Sequence, residues 1–423
     1  MSLLYEGEIM KPKTLIVLTA IAITLGFQAR AQIYDTNGDF VQTFAGSGQT
    51  GFTNGVGQQA KFYNPMQIVA DSKSNLFVWD INNNQIRKIA PDSTVSTFAG
   101  GGGTNGNLSL GTGKITIDRN DNIYAVNGDS PVYLYTILTN GTFTRTNLNF
   151  LSSSPVGGLC VDSAGNIYIS DQLACNIYRY DTNGVVTVFA GSGSAGYADL
   201  NGTNAAFNTP LSLACDTADN IYVWERGNCV IRRIDQNRNV TTYAGSFGNV
   251  GPSADGFGTN AVFGVEGSDA IYQMCCDRFG NLFLACGWSV REISATTNVT
   301  TLAGSFTENG YANGSGNLAR FSGANGICVS GGTIYVVDTD NQRIRSITNN
   351  PPPQIISSAN LQLNTYPGLQ ITGTVGRTYQ IQTSPDMSAW SIKASVLLTS
   401  SPYLWIDQNP VSGNKFYRAF LLP

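Results

Sequence analysis

Six positions recurring along the 423-residue chain carry the side chains best suited to chemistry: Asp80, Asn127, Asp171, Glu225, Cys286 and Asp338. Each closes a short apolar run of a repeating pattern, so symmetry predicts all six at similar radius and height. Gathered in that way they form a polar ring able to hold a hard cation or a polar ligand. A structural role competes. Asp80, Glu225 and Asp338 are followed seven residues later by Arg87, Arg232 and Arg345, and across a hairpin such residues form a natural cross-strand ion pair. The chain contains no histidine. That excludes His-ligated zinc, Ser-His-Asp and Cys-His nucleophiles and any imidazole proton shuttle. Carboxylate chemistry remains.

The elements that must position these residues are best seen at 60–100. Four apolar runs, at 66–70, 75–79, 85–89 and 94–99, are separated by Asp, Asn, Ser, Pro and Gly, which predicts a four-stranded antiparallel meander. Such a sheet cannot bury both faces alone and must stack on copies of itself. The chain supplies them. An apolar-Asp step followed four residues later by Asn occurs at Asp71/Asn75, Asp118/Asn122, Asp162/Asn166, Asp216/Asn220 and Asp277/Asn281, and in worn form at Ser330. These aspartates precede turns and are expected to cap them. A closing run, Val95-Ser96-Thr97-Phe98-Ala99-Gly100 in the first copy, recurs at 186–191, 240–245 and 299–304, and in degenerate form near 143–148.

The two ends of the repeat array are complementary. The chain opens with a closing-type run at 40–45 that has no sheet before it, and the last copy stops after its third run at 343–347. Joining them completes a sixth blade and leaves only short, protected edges. The expected fold is therefore all-β, a six-bladed β-propeller at 32–348 whose N-terminal strand closes the last blade. An open β-solenoid would leave 40–45 unpaired.

The repeat itself resembles the NHL repeat. In blade one the pattern reads Ala60, Phe62, Pro65, Asp71, Asn75 through Asp80, Ile86-Arg87-Lys88-Ile89 and Val95 through Gly100. Blade two departs most, with Asn127 and Tyr133 expected in the Asp and Arg slots, and blade five has Cys286 in the Asp slot. The resemblance implies a binding platform or extracellular module, and in a few relatives an enzyme; fold alone does not choose. Without histidine the amidating-lyase, streptogramin-lyase and quinoprotein activities of similar propellers are excluded. The surviving enzymatic reading is a calcium-dependent, gluconolactonase-like hydrolase with carboxylate ligands in the central channel. Its candidate catalytic residues are Asp80, Asp171, Glu225 and Asp338. The leading reading is a binding module, for which no cofactor is expected.

Loops between blades present a second series, with Phe52, Tyr197 and Tyr311 as candidate contacts to a glycan or peptide. Their glycines suit positive-φ turns, and the recurring Phe62, Phe207, Phe263 and Phe321 suit packing between blades. The eight cysteines lie between Cys160 and Cys328. Most fall on innermost strands, where a free thiol behaves as a small hydrophobe, and no Cys-x-x-Cys spacing suggests a metal site.

Residues 14–27 form an apolar run after Lys11 and Lys13, followed by Ala29-Arg30-Ala31. This reads as a signal peptide over 1–31, with Met10 a candidate true start, and too short for a membrane span. A secreted, periplasmic or cell-surface protein is expected, with no transmembrane span in the mature chain. Net charge is −4, so there is no basic footprint for nucleic acid; the expected partner is a protein or carbohydrate. A Pro-rich linker at 349–358 precedes alternating runs at 359–423 that read as a small β-sandwich, with Trp390 and Trp405 either core aromatics or a glycan contact. It resembles a C-terminal module of many secreted bacterial proteins.

Overall fold

The computed structural model describes residues 39–101, 108–128, 130–151, 156–264 and 270–348, and nearer the C-terminus 368–371, 377–384, 389–398, 403–406 and 416–421. The expected leader (1–31), the linker (349–358) and the expected strand at 361–364 lie outside them.

Alternation of apolar and polar residues between Asp, Asn and Gly turns folds each repeat as an antiparallel sheet with consecutive strands adjacent. Blade one is Pro65–Ala70, Leu76–Asp80, Gln85–Ile89 and Thr94–Gly100, from the axis outward. The innermost strands of blades two to six are Lys114–Ile117, Val156–Val161, Pro210–Cys215, Gln273–Cys276 and Ala324–Ser330. Blade six has only three strands of its own, and its outer strand is Phe40–Ala45, which pairs antiparallel with Arg343–Thr348 with Val41 opposite Ile347. The chain is an all-β, six-bladed propeller closed by its N-terminal strand. Gly46 ends that strand at φ 97°, where a Cβ would stand 2.5 Å from the Gln342 carbonyl oxygen. No other residue type fits there without a shift.

The turn aspartates act as caps. Asp71 Oδ1 accepts from the backbone N–H groups of Lys73 and Asn75, at 2.9 and 2.7 Å, and Oδ2 accepts from the Asn75 side chain at 2.6 Å. Asp162, Asp216 and Asp277 repeat the arrangement.

The core lies between blades. Phe62 packs with Ile68 and Val78 of its own blade and with Ala45, Val337 and Ile344 of blade six. Phe207 bridges blades three and four in the same way. Burying one such ring contributes about 1.5–3 kcal/mol, and the series repeats at Phe263 and Phe321.

Blades one, five and six gain a fifth, two-residue outer strand from the preceding loop: Gly55–Val56, Gly256–Phe257 and Gly314–Ser315. Among the described residues blades two, three and four have none. None of the eight cysteines, all among the described residues, forms a disulfide. Among the described residues no helix is long and apolar enough to cross a membrane.

A second compact unit, Pro353–Pro423, contains two small sheets. Gly368–Ile371 pairs with Tyr403–Ile406, and Thr378–Ser384 lies between Ser391–Leu397 and Phe416–Leu421. Ile381 and Leu398 are buried within it. Trp390 is half-buried, and the side chain of Trp405 is outside the described set.

Candidate functional site

The recurring acids close the second strand of their blades, where the chain turns back into the third. In blade one Asp80 is fully buried. Its Oδ1 accepts from the Tyr63 N–H at 2.7 Å, and Oδ2 accepts from Asn83 at 2.8 Å and Arg87 Nη1 at 2.9 Å. Arg87 is equally buried, and its Nη groups also donate to the Lys61 and Thr53 carbonyls and Asn54 Oδ1. The rings of Phe52 and Phe62 lie 4.8 and 5.3 Å from the guanidinium carbon. The arginine thus ties the second strand, the third strand and the loop entering the blade.

Blades four and six repeat this clip. Glu225 pairs with Arg232 at 2.7 Å and accepts from the Asn208 N–H at 2.8 Å. Arg232 also pairs with Asp199 and sits 4.9 and 5.4 Å from the Tyr197 and Phe207 rings. Asp338 pairs with Arg345 at 2.6 Å and accepts from the Ser322 N–H at 2.8 Å, with Tyr311 and Phe321 at 4.8 and 5.2 Å from the arginine. Burial pushes Glu225 up to about 7 and Asp338 up to about 6, against the pull of their arginines and amide donors.

The remaining blades vary. In blade five Arg291 pairs with the loop residue Asp255 at 2.9 Å, while Cys286 occupies the acid slot. In blade three Asp171 Oδ1 accepts from the Leu173 and Ala174 N–H groups at 3.0 and 2.8 Å. In blade two Asn127 donates to the Pro131 carbonyl. The arginine slot there belongs to Tyr135, which pairs with Ala125 as Arg87 pairs with Val78. The expectation of Tyr133 is corrected: the turn after Asn127 is one residue longer than the turn after Asp80, so the slot falls eight residues on rather than seven, and Tyr133, six residues on, matches neither count.

Phe52, Tyr197 and Tyr311 are 50%, 39% and 43% exposed. Each belongs to a different blade and covers that blade's own arginine. Tyr197 also stacks on Phe247 at 4.0 Å, and Tyr311 shares a 2.8 Å hydrogen bond with Thr43 of the closing strand.

The concavity of the fold is axial. A cavity of about 260 Å³ is enclosed by the innermost strands, and none of the candidate acids is among its lining residues. It is lined instead by Gln67, Lys114, Ser212, Gln273 and cysteines including Cys160 and Cys275. One mouth, of about 550 Å³, is lined by Met66, Lys114, Leu211, Trp224, Arg226 and Tyr272. The other is lined by Asp118, Asp162, Asp216 and Asp277, with Arg119 and Arg278. Among the described residues no group of His, Cys, Asp or Glu side chains is arranged to hold a metal ion. Sequence reasoning missed Lys114. Its one signal was a lysine two residues before Thr116 in a strand whose counterparts carry Gln, Gly or Ser at that position.

The NHL repeat matches residues 321–345. Teneurin-3 of Danio rerio is 29% identical over 225 residues, 47% of this chain but 8% of that protein, so the chain spans under a tenth of this curated relative. Two auxiliary nutrient binding proteins have a similar fold. The one from Bacteroides thetaiotaomicron is 18% identical, with a TM-score of 0.57 over 73% of this chain and 76% of that one. The one from Bacteroides ovatus is 19% identical, with a TM-score of 0.56 over 75% and 77%. Within the six-bladed propeller the NHL repeat is matched in blade six, whose first two strands and the start of whose third fall in residues 321–345.

Proposed function

We propose that this propeller is an extracytoplasmic binding module, exported by its N-terminal apolar segment to the periplasm, the cell surface or beyond, where it takes a protein or carbohydrate ligand. One observation carries the reading. The acids a hydrolase would need in blades one, four and six are fully buried and paired to internal arginines at 2.6–2.9 Å. The axial cavity, where a substrate would bind, has no carboxylate lining it. A carboxylate engaged by a guanidinium and backbone N–H groups is a poor calcium ligand or general base. The fold shared with auxiliary nutrient binding proteins fits a binding role.

The test is twofold. Purified protein is screened on glycan and peptide arrays, and its calcium content and melting temperature are measured before and after chelation. Saturable binding with no chelator effect supports the module. Stoichiometric calcium, lost in Asp80→Asn or Glu225→Gln together with lactone hydrolysis, would replace it with the hydrolase.

A further inference from the structure

Four residues before each turn aspartate, or its Ser330 counterpart, the innermost strands carry one ring of equivalent positions: Gln67, Lys114, Gly158, Ser212, Gln273 and Gly326. The two glutamines serve the fold. Gln67 Oε1 accepts from the Ile115 N–H at 2.9 Å. Gln273 Oε1 accepts from the Ile327 and Ile68 N–H groups at 3.1 and 3.3 Å, and its amide donates to the Ile68 carbonyl at 3.0 Å. Side-chain amides therefore stitch blades together at this level, Gln273 reaching blade one as well as blade six, and the glycines let strands close up: a Cβ on Gly158 would stand 2.4 Å from the Leu211 carbonyl oxygen.

Lys114 is the one charged member of the ring. It lines both the axial cavity and the wider mouth. Among the described residues its ammonium has neither an ion pair nor a hydrogen bond, and no Asp or Glu lines either space. Arg226 is the other charged side chain lining that mouth. Lys114 is half-buried, and burial pulls its pKa down to about 8, with no opposing charge among the described residues to restore it. An amine removed from bulk water without a counter-charge is unfavourable. Glutamine at this position would stitch the blades, as it does twice in the same ring, without that cost. The lysine is surplus to the fold, and it lines a space large enough for a ligand.

We propose that the Lys114 mouth is an anion site, in which the ammonium takes the carboxylate of a small organic acid and the apolar body of that acid lies against Met66, Leu211 and Tyr272. This deepens the binding reading and rests on it. The apolar lining favours an acid with a hydrocarbon or aryl portion over a fully hydrated ion. An ammonium–carboxylate contact sheltered from water is stronger than the same contact at the surface.

The experiment is calorimetric titration of the whole protein at pH 7 with acetate, octanoate, phenylacetate and indole-3-acetate. 2-Phenylethanol and phenethylamine serve as uncharged and cationic counterparts, and inorganic phosphate as the hydrated anion. One-site binding of an apolar acid is expected, at least tenfold tighter than its alcohol, lost at least tenfold in Lys114→Met and largely kept in Lys114→Arg. Circular dichroism and melting temperature verify that both variants fold. After reductive ¹³C-methylation, the Lys114 resonance should titrate at higher pH when the acid is bound.

Equal affinity for phenylacetate and 2-phenylethanol, undiminished binding by Lys114→Met, a preference for phosphate, or no binding of any of the four acids would overturn the assignment. A glycan or peptide bound equally by wild type and Lys114→Met, with no acid bound, removes the anion site and leaves the module reading standing. If no ligand of any kind binds, both fall.

Discussion

At the scale of single residues, charge is placed by two different logics. The Arg232 guanidinium is wholly buried, and its partners are Glu225, Asp199 and two backbone carbonyls. Arg232→Met therefore strands Glu225 in the interior, and loss of one partner of a buried pair costs about 3–5 kcal/mol. Urea unfolding should show that loss, whereas Glu308→Gln, on the exposed pair with Arg320, should cost under about 1 kcal/mol. Glu292 follows the opposite logic. It occupies the slot filled by Arg179 and Arg233 in blades three and four, so it meets Asp277 and Asp39 instead of an amide. Burial first, and those two carboxylates second, push it up to about 7. In the unfolded chain this glutamate ionises near its ordinary value of 4.5. Between pH 4.5 and 7 the unfolded state releases a proton that the folded state keeps, so stability falls as pH rises. Glu292→Gln should match wild type at pH 4 and be more stable at pH 7.5, on the order of 2 kcal/mol; equal stability at both pH values would refute this. The acid–arginine spacing of seven was legible because hairpin register converts sequence distance into contact. Lys114 was not, because what marks it is the absence of an opposing charge from other strands, and no single strand reports that.

At the scale of elements, the blades are not equally fastened. Blades one, four and six have the full clip of acid, arginine and two aromatic rings, and blades one and six add a fifth strand on the outer edge. Blade two has Asn127 and Tyr135 in the clip positions, no added strand among the described residues, and an outer strand, Phe143–Asn147, with four of its five residues exposed. Local opening is easiest where few buried contacts hold backbone hydrogen bonds. Amide hydrogen exchange should therefore be at least tenfold faster in Tyr133–Ile137 than in the matching Val230–Ile234 of blade four. Comparable protection would mean that the clips contribute little to local stability. Period-two alternation and turn residues made the main strands of the blades readable, down to the worn copy near 143–148, whereas the two-residue outer strands Gly55–Val56, Gly256–Phe257 and Gly314–Ser315 lie in stretches that read as glycine loops. In blade two the arginine spacing of seven counted from Asn127 reaches Leu134, not the expected Tyr133, and one additional turn residue moves the register on to Tyr135, a shift that hydrogen bonding determines and pattern matching cannot see.

At the scale of the molecule, the propeller is a closed ring whose last contact is made by its first strand. Phe40–Ala45 covers the outer edge of Arg343–Thr348, buries Val41 and Ala45 completely, and receives a two-residue strand, Gly314–Ser315, on its other side. Removing it exposes a row of unpaired N–H and C=O groups on Arg343–Thr348, together with the apolar surface of Ile344 and Ile347. An unpaired edge of that length is a template for intermolecular pairing. The energetic cost is not confined to one blade, because Ala45 and Phe62 share a cluster with Ile344 and Val337 across the seam between blades six and one. A chain beginning at Gly46 should consequently melt at least 10 °C lower and oligomerise at micromolar concentration. A peptide spanning 38–46 added in trans should restore part of the lost stability in a saturable way. The double substitution Val41→Asp, Ala45→Asp in the intact chain should reproduce the defect without shortening the protein. If the truncated chain instead stays monomeric with an unchanged melting temperature, the seam would contribute nothing, and ring closure would rest on contacts among the innermost strands alone.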